Sequence, residues 1–172
     1  MNEKGERMAS FGFSADEVFK IGMEVELNGK AFYQAALDVC GDQEPRATIE
    51  YLRDEEDKHY ASFAEMRDKL PAEAKSESVF DPGGEMAAYL KALADSRVFT
   101  DETQAADIAR KCGSAQELLH VALRFEKDSV LMFQALKEGT KAEWGRDKID
   151  FLIEAEKDHI RKINAILEKL GS

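Results

Sequence analysis

Residues 49–63 read IEYLRDEEDKHYASF and residues 149–163 read IDFLIEAEKDHIRKI, so one pattern recurs at an offset of 100. In each segment the apolar residues return at alternating spacings of three and four, which gathers them on the stripe of a helix that faces a core. The first stripe runs Ile49, Leu52, Glu56, His59, Phe63, Met66, Leu70, and the second Ile149, Leu152, Glu156, His159, Ile163, Ile166, Leu170. A glutamate and a histidine three residues apart interrupt both stripes at the same level. Glutamate is almost never fully buried without a partner, so these interruptions demand a physical explanation.

The repeat extends well beyond these segments, since residues 14–70 align with residues 114–170 without a gap. Ser14-Ala15-Asp16-Glu17 matches Ser114-Ala115-Gln116-Glu117, and each reads as a capping box that starts a helix. Gly113 marks the end of whatever precedes the second box. The first helix of each half runs to a break, at Gly41-Asp42 and at Gly139-Thr140, and a second helix follows. Pro71 stops the first of these second helices, because proline lacks an amide donor and excludes its predecessor from helical geometry. The first helices carry seams of their own. One is Phe19, Gly22, Glu26, Gly29, Tyr33, Ala36 and the other Leu119, Ala122, Glu126, Ser129, Phe133, Leu136. Each holds one glutamate among small residues that leave room around it.

Four long helices and few breakers define an all-α chain, a four-helix bundle made of two repeated hairpins. The hairpins span 14–70 and 114–170, and a partly helical crossover joins them through 71–113. Within the crossover, Pro82-Gly83-Gly84 reads as a turn, Glu85 to Ala94 as a short helix, and Asp101 to Lys111 as another behind a Thr100 cap. Residues 1–13 have no counterpart in the repeat and are expected to form a mobile arm. With 172 residues, 44% of them hydrophobic, one domain with a sizeable core is the natural expectation.

Charge and composition narrow the function. A formal net charge of −11 opposes nucleic acid and anionic lipid, both polyanions. The N-terminal MNEKGERMAS lacks an apolar targeting segment, and no stretch approaches the about 18 apolar residues of a membrane span, so a cytoplasmic protein is expected. Cys40 and Cys112 stand apart without a C-x-x-C pair, so one chain cannot build a thiolate zinc or rubredoxin-type iron site. A disulfide is not expected in a reducing compartment.

If the four seams face one another, four carboxylates and two imidazoles meet inside a bundle. Unpaired buried carboxylates cost several kcal/mol each after relaxation, and mutual repulsion adds to that cost. Two divalent cations would cancel the four charges and leave neutral imidazoles to complete the coordination. Residues i and i+3 share a helix face, so each Glu-x-x-His pair presents both ligands to one place. Glu26, Glu56, His59, Glu126, Glu156 and His159 are therefore the candidate metal ligands. An oxygen-rich set with one imidazole per metal suits iron or manganese, and zinc also accepts such ligands. His120 lies six residues before Glu126 and is assigned to the surface or its boundary. Cys40 extends the first seam as a small hydrophobe, the methionines fill the core, and Arg53-Asp54-Glu55 with Asp57-Lys58 reads as the solvated face beside the ligands. Tyr33, two turns beyond Glu26, is either a core aromatic or a functional phenol.

These residues resemble the rubrerythrin branch of the ferritin-like di-iron proteins, over residues 14–170. The resemblance rests on Glu26 with Tyr33 in GMEVELNGKAFY, Glu56 and His59 in DEEDKHY, Glu126 in ALRFEKDSVLMF, and Glu156 and His159 in EAEKDH. It implies two iron ions, with Glu56 and Glu156 bridging or chelating and Glu26, Glu126, His59 and His159 terminal. It also implies a homodimer, with exchange of hairpins through the crossover left open. The chain lacks the rubredoxin module of typical rubrerythrins, so electrons must come from an external donor such as a rubredoxin. Ser129 stands where the family carries a further glutamate, so the family's redox-linked movement of one iron lacks its residue here. The expected activity is reduction of hydrogen peroxide, with oxygen as the other oxidant. The alternatives are a ferroxidase or iron-storage protein, a manganese catalase-like enzyme, and a structural protein whose metal does no chemistry. A storage cage is disfavoured because the sequence ends at Leu170-Gly171-Ser172 without the short fifth helix usual in cages.

Overall fold

A computed structural model describes residues 14–76 and 83–171 of the chain. Four long helices carry the architecture: α1 (Ala15–Val39), α2 (Gln43–Asp68), α6 (Ala115–Glu138) and α7 (Arg146–Leu170). Between them lie α3 (Ala72–Ser76), α4 (Glu85–Ser96) and α5 (Glu102–Lys111), and a single 3₁₀ turn (Ala142–Trp144) precedes α7. The mobile arm expected at residues 1–13 and Pro82 of the expected turn lie outside the described residues. Among the described residues no helix is long and apolar enough to cross a membrane.

Local chemistry accounts for the ends of these helices. At α1 the Glu17 amide donates to Ser14 Oγ at 3.2 Å, and the Ser14 amide donates to Glu17 Oε2 at 2.7 Å, which completes the capping box. At α6 the first half of that exchange is kept, with Glu117 N–H donating to Ser114 Oγ at 3.1 Å, but the Glu117 carboxylate reaches one residue further back to the Gly113 amide at 2.6 Å. Asp101, not Thr100, caps α5, accepting from the Gln104 amide at 2.9 Å, while the Thr100 amide donates to Gln104 Oε1 at 2.7 Å. Asp101 is one residue closer to the first turn, and its carboxylate reaches the free amide there. Pro45 sits in the first turn of α2, where a missing amide donor costs nothing.

Both hairpin turns are closed by an arginine at the same place in the repeat. Arg46 donates to the carbonyls of Leu37 and Cys40 at the end of α1, and Arg146 Nε donates to Thr140 O at 2.8 Å after α6. A guanidinium there satisfies carbonyls left over at a helix C-terminus and opposes the negative end of its dipole. The second turn is longer. It includes the 3₁₀ turn and Gly145 at φ +99°, a left-handed conformation that favours glycine, so α7 starts three residues later in the repeat than α2.

The core is where the periodicity places it. Every residue of the two first-helix seams is buried, as is every residue of the α2 seam. The α7 seam is buried through Ile166, but Leu170 is 41% exposed. Helices α1 and α2 pack along their length, as do α6 and α7, and the hairpins meet through α1 with α6 and α2 with α7. The crossover is not a passive connection: α5 lies along α1 and α4 packs on α6. From it Phe99 stacks between Phe32 of α1 and Phe125 of α6, at 4.9 Å to each ring. Cys40 is buried, Cys112 half-buried and His120 exposed.

Candidate metal centre

The seams deliver their polar residues to one level. Glu26 comes from α1, Glu56 and His59 from α2, Glu126 from α6, and Glu156 and His159 from α7, all at most 3% exposed. Ligand atoms of Glu26, His59 and Glu156 lie within 4.8 Å of one another, and so do those of Glu56, Glu126, Glu156 and His159. Glu156 belongs to both groups through its two oxygens. Its Oε1 is 2.7 Å from His59 Nδ1 and its Oε2 is 3.1 Å from His159 Nδ1. Glu26 Oε2 lies 3.6 Å from His59 Nδ1, and Glu126 Oε2 lies 3.4 Å from His159 Nδ1. The imidazoles stack at 5.3 Å and 17°.

Small residues make this convergence possible. A Cβ at Gly29 would stand 2.9 Å from Glu56 Oε2 and 2.5 Å from the Phe125 ring, so the carboxylate occupies space that only glycine leaves free. Gly22, two turns earlier, receives the Phe63 ring in the same way.

Seven buried side-chain atoms of these six residues lack a hydrogen-bond partner: Glu26 Oε1, both Glu56 oxygens, His59 Nδ1, Glu126 Oε2, Glu156 Oε1 and His159 Nε2. His59 Nδ1 and Glu156 Oε1 are close but misaligned for a hydrogen bond. Short separations without hydrogen-bond alignment are what donor atoms show when they converge on a common point. Buried polar atoms are normally satisfied, so this density of unsatisfied ones fits cations at the centre.

Without cations, protons must do the neutralising. Burial, together with the neighbouring carboxylates, pushes Glu26 and Glu56 well above the ordinary carboxylate range and Glu126 up to about 8. Burial opposes charge on the imidazoles too, but the carboxylates held close to them outweigh it and raise His59 to about 9 and His159 to about 10. Glu156 is the exception. Burial raises it, yet its close contacts with Glu126, His159 and His59 win, and it is held below its ordinary value as the one carboxylate between two imidazoliums.

Two further residues complete the surroundings. Tyr33 is fully buried and its phenol donates to Glu126 Oε1, while burial and the Glu126 charge push its pKa well above the ordinary value and keep the proton in place. Glu55 corrects the expectation of a wholly solvated face on α2. Its side chain is only 18% exposed, and a carboxylate oxygen lies within 4.8 Å of ring nitrogens of His59 and His159. The signal was present in the sequence, since Glu55 and His59 are i and i+4 on one helix face, but it was hidden by the neighbouring charges.

A solved structure from Thermotoga maritima, provisionally described as a ferritin-like diiron-carboxylate protein, superposes with a TM-score of 0.71 at 23% identity, covering 91% of this chain and 96% of that one. The chain has the ferritin-like fold. No protein-family model and no curated protein matches the sequence. The fold and the carboxylate–imidazole clusters together fit a centre that holds two metal ions, a fit that the unsatisfied donor atoms support independently.

Proposed function

We propose that the chain is a rubrerythrin-like non-haem di-iron oxidoreductase that reduces hydrogen peroxide to water with electrons from an external donor. The observation that carries this reading is the paired centre, in which Glu156 presents one oxygen to each imidazole and seven buried polar atoms are left without a hydrogen-bond partner. Glu26 and His59 would hold one ion, Glu126 and His159 the other, with Glu56 and Glu156 shared between them. Two ferrous ions held there supply the two electrons that reduction of peroxide to two waters consumes, together with two protons.

The chain's own residues set the conditions for that chemistry. Carboxylates and imidazoles without thiolate favour iron or manganese, with zinc as a competitor. The apolar seams exclude water above and below the ligand level, which keeps the charged groups in a low-dielectric setting where they act most strongly. Tyr33 fixes the orientation of the Glu126 carboxylate by donating to one of its oxygens, which leaves Oε2 free for a metal. The two cysteines cannot form an internal thiolate iron site, which favours a separate electron donor of the rubredoxin type. A homodimer belongs to the same proposal.

The test is anaerobic reconstitution with ferrous iron, followed by elemental analysis and stopped-flow spectroscopy. About two irons per chain and faster oxidation by peroxide than by oxygen at equal concentration are expected, with repeated turnover once a rubredoxin is added. Faster reaction with oxygen, accompanied by uptake of many irons per chain, would replace this reading with ferroxidase and storage.

A further inference from the structure

Outside the metal centre, the described residues contain one more buried side-chain atom without a hydrogen-bond partner, Nε of Arg97. Arg97 follows α4 as its C-cap, and its Nη2 donates to Thr100 O at 3.1 Å. No carboxylate pairs with it among the described residues. The residue as a whole is half-buried and its Nη2 bond lies at the surface, so the cost falls on the one donor, Nε, that is buried and unused.

The same side chain lines a cavity of about 50 Å³ between the end of α4, Phe99 and the α1–α6 pair. One water needs about 10–15 Å³ on this measure, so the space suits a guest of a few heavy atoms. Most of the wall is apolar, including Leu93, Phe99 and Phe125. The other polar groups around it are mostly engaged. Ser96 donates to Leu93 O at 3.3 Å, Ser129 donates to Phe125 O at 3.1 Å, and Asp128 accepts from the Val98 amide at 2.8 Å.

We propose that this cavity binds a small organic monocarboxylate, with its carboxylate on the Arg97 guanidinium and its short apolar part against Phe99 and Phe125. Guanidinium groups match planar carboxylates through charge-assisted hydrogen bonds, and the apolar wall rewards a hydrocarbon tail. A multiply charged anion fits poorly, because one guanidinium would face it alone with the Asp128 carboxylate on the same wall. Phe125 and Ser129 flank Glu126 on α6, so the occupant lies beside the helix that carries this ligand.

Binding is tested on metal-free full-length protein, so that carboxylate ligation to a metal cannot contribute and the outcome is independent of the peroxide reading. Calorimetric titration with propionate should give one site per chain, with phosphate and chloride at least tenfold weaker. Arg97→Gln should weaken propionate at least tenfold, and Leu93→Trp, which fills the cavity, should do the same while circular dichroism stays unchanged. In the wild-type protein, nuclear Overhauser contacts should connect the propionate methyl to the rings of Phe99 and Phe125, which locates the site even if a variant fails to fold. Absence of those contacts, phosphate binding as tightly as propionate, or undiminished binding by a folded Arg97→Gln protein would each overturn the proposal.

Discussion

Gly29 shows how much of the centre depends on one missing methyl group. Alanine there would gain about 1 kcal/mol of helix propensity. It would also place a Cβ 2.5 Å from the Phe125 ring and 2.9 Å from Glu56 Oε2, and Phe125 is held between Phe99 and Tyr33 and has little room to yield. Overpacking of this kind costs about 1–3 kcal/mol, so Gly29→Ala is expected to lower the urea midpoint and to reduce bound metal. An unchanged or higher midpoint would show that the ring gives way. Tyr33 offers a second test at this scale. Its repeat partner is Phe133, so the replacement Tyr33→Phe is sterically mild, yet it removes the donor to Glu126 Oε1. Loss of such a supporting contact typically costs about 10–100-fold in metal affinity. Competition against a chelator should reveal that loss, and equal affinity would return Tyr33 to the role of a core aromatic.

Among the elements, the crossover proves more than a linker. Phe99 is 2% exposed and bridges α1 to α6 through two stacked contacts, one of them with the Phe125 ring that also limits Gly29. Truncation of a buried phenylalanine costs about 3–5 kcal/mol, and here the loss falls on the joint between the two hairpins. Phe99→Ala is expected to raise amide hydrogen exchange in α5 and in the facing turns of α1 and α6, while α2 and α7 keep most of their protection. Uniform loss of protection across all four long helices would contradict that placement. The repeat's gapless register also hides a difference between its hairpin turns, since the 3₁₀ turn and Gly145 delay the start of α7.

Across the whole molecule, the centre couples folding to protons and to metal in opposite directions. Without metal, His59 and His159 retain protons up to about pH 9 and 10, against an ordinary value of 6.5. Their contribution to stability is complete below about pH 6.5 and is lost as pH rises through those raised values. Glu126, raised from 4.5 to about 8, acts in the same sense, because the folded chain holds a proton that the unfolded chain releases. Glu156 opposes them, contributing above 4.5 and losing that contribution only in strong acid. Metal ions need these groups deprotonated, so loading releases the protons of both imidazoles and of Glu26, Glu56 and Glu126. The metal-free protein should therefore melt lower as pH rises from about 5 to about 9, while the gain from added metal grows over the same interval. Melting curves of both forms across that range provide the check, and parallel profiles would refute the coupling.

The alternating three-four spacing with its two Glu-x-x-His interruptions was enough to determine four long helices, their buried faces and the six residues that meet, because a period of 3.6 fixes which side chains share a face. The capping boxes located two helix starts for the same reason, since their chemistry is local. Spacing along one helix does not say how it is rotated and staggered against its neighbours. Only the packed bundle decided that Glu156 spans both imidazoles, that Gly29 makes room for Glu56 and Phe125, and that Tyr33 reaches Glu126 across 93 residues of chain. Glu55 belongs to the same class: it reads as an ordinary charge on its own helix, and it gains His159 as a neighbour from an element distant in sequence, where burial changes what a charge costs.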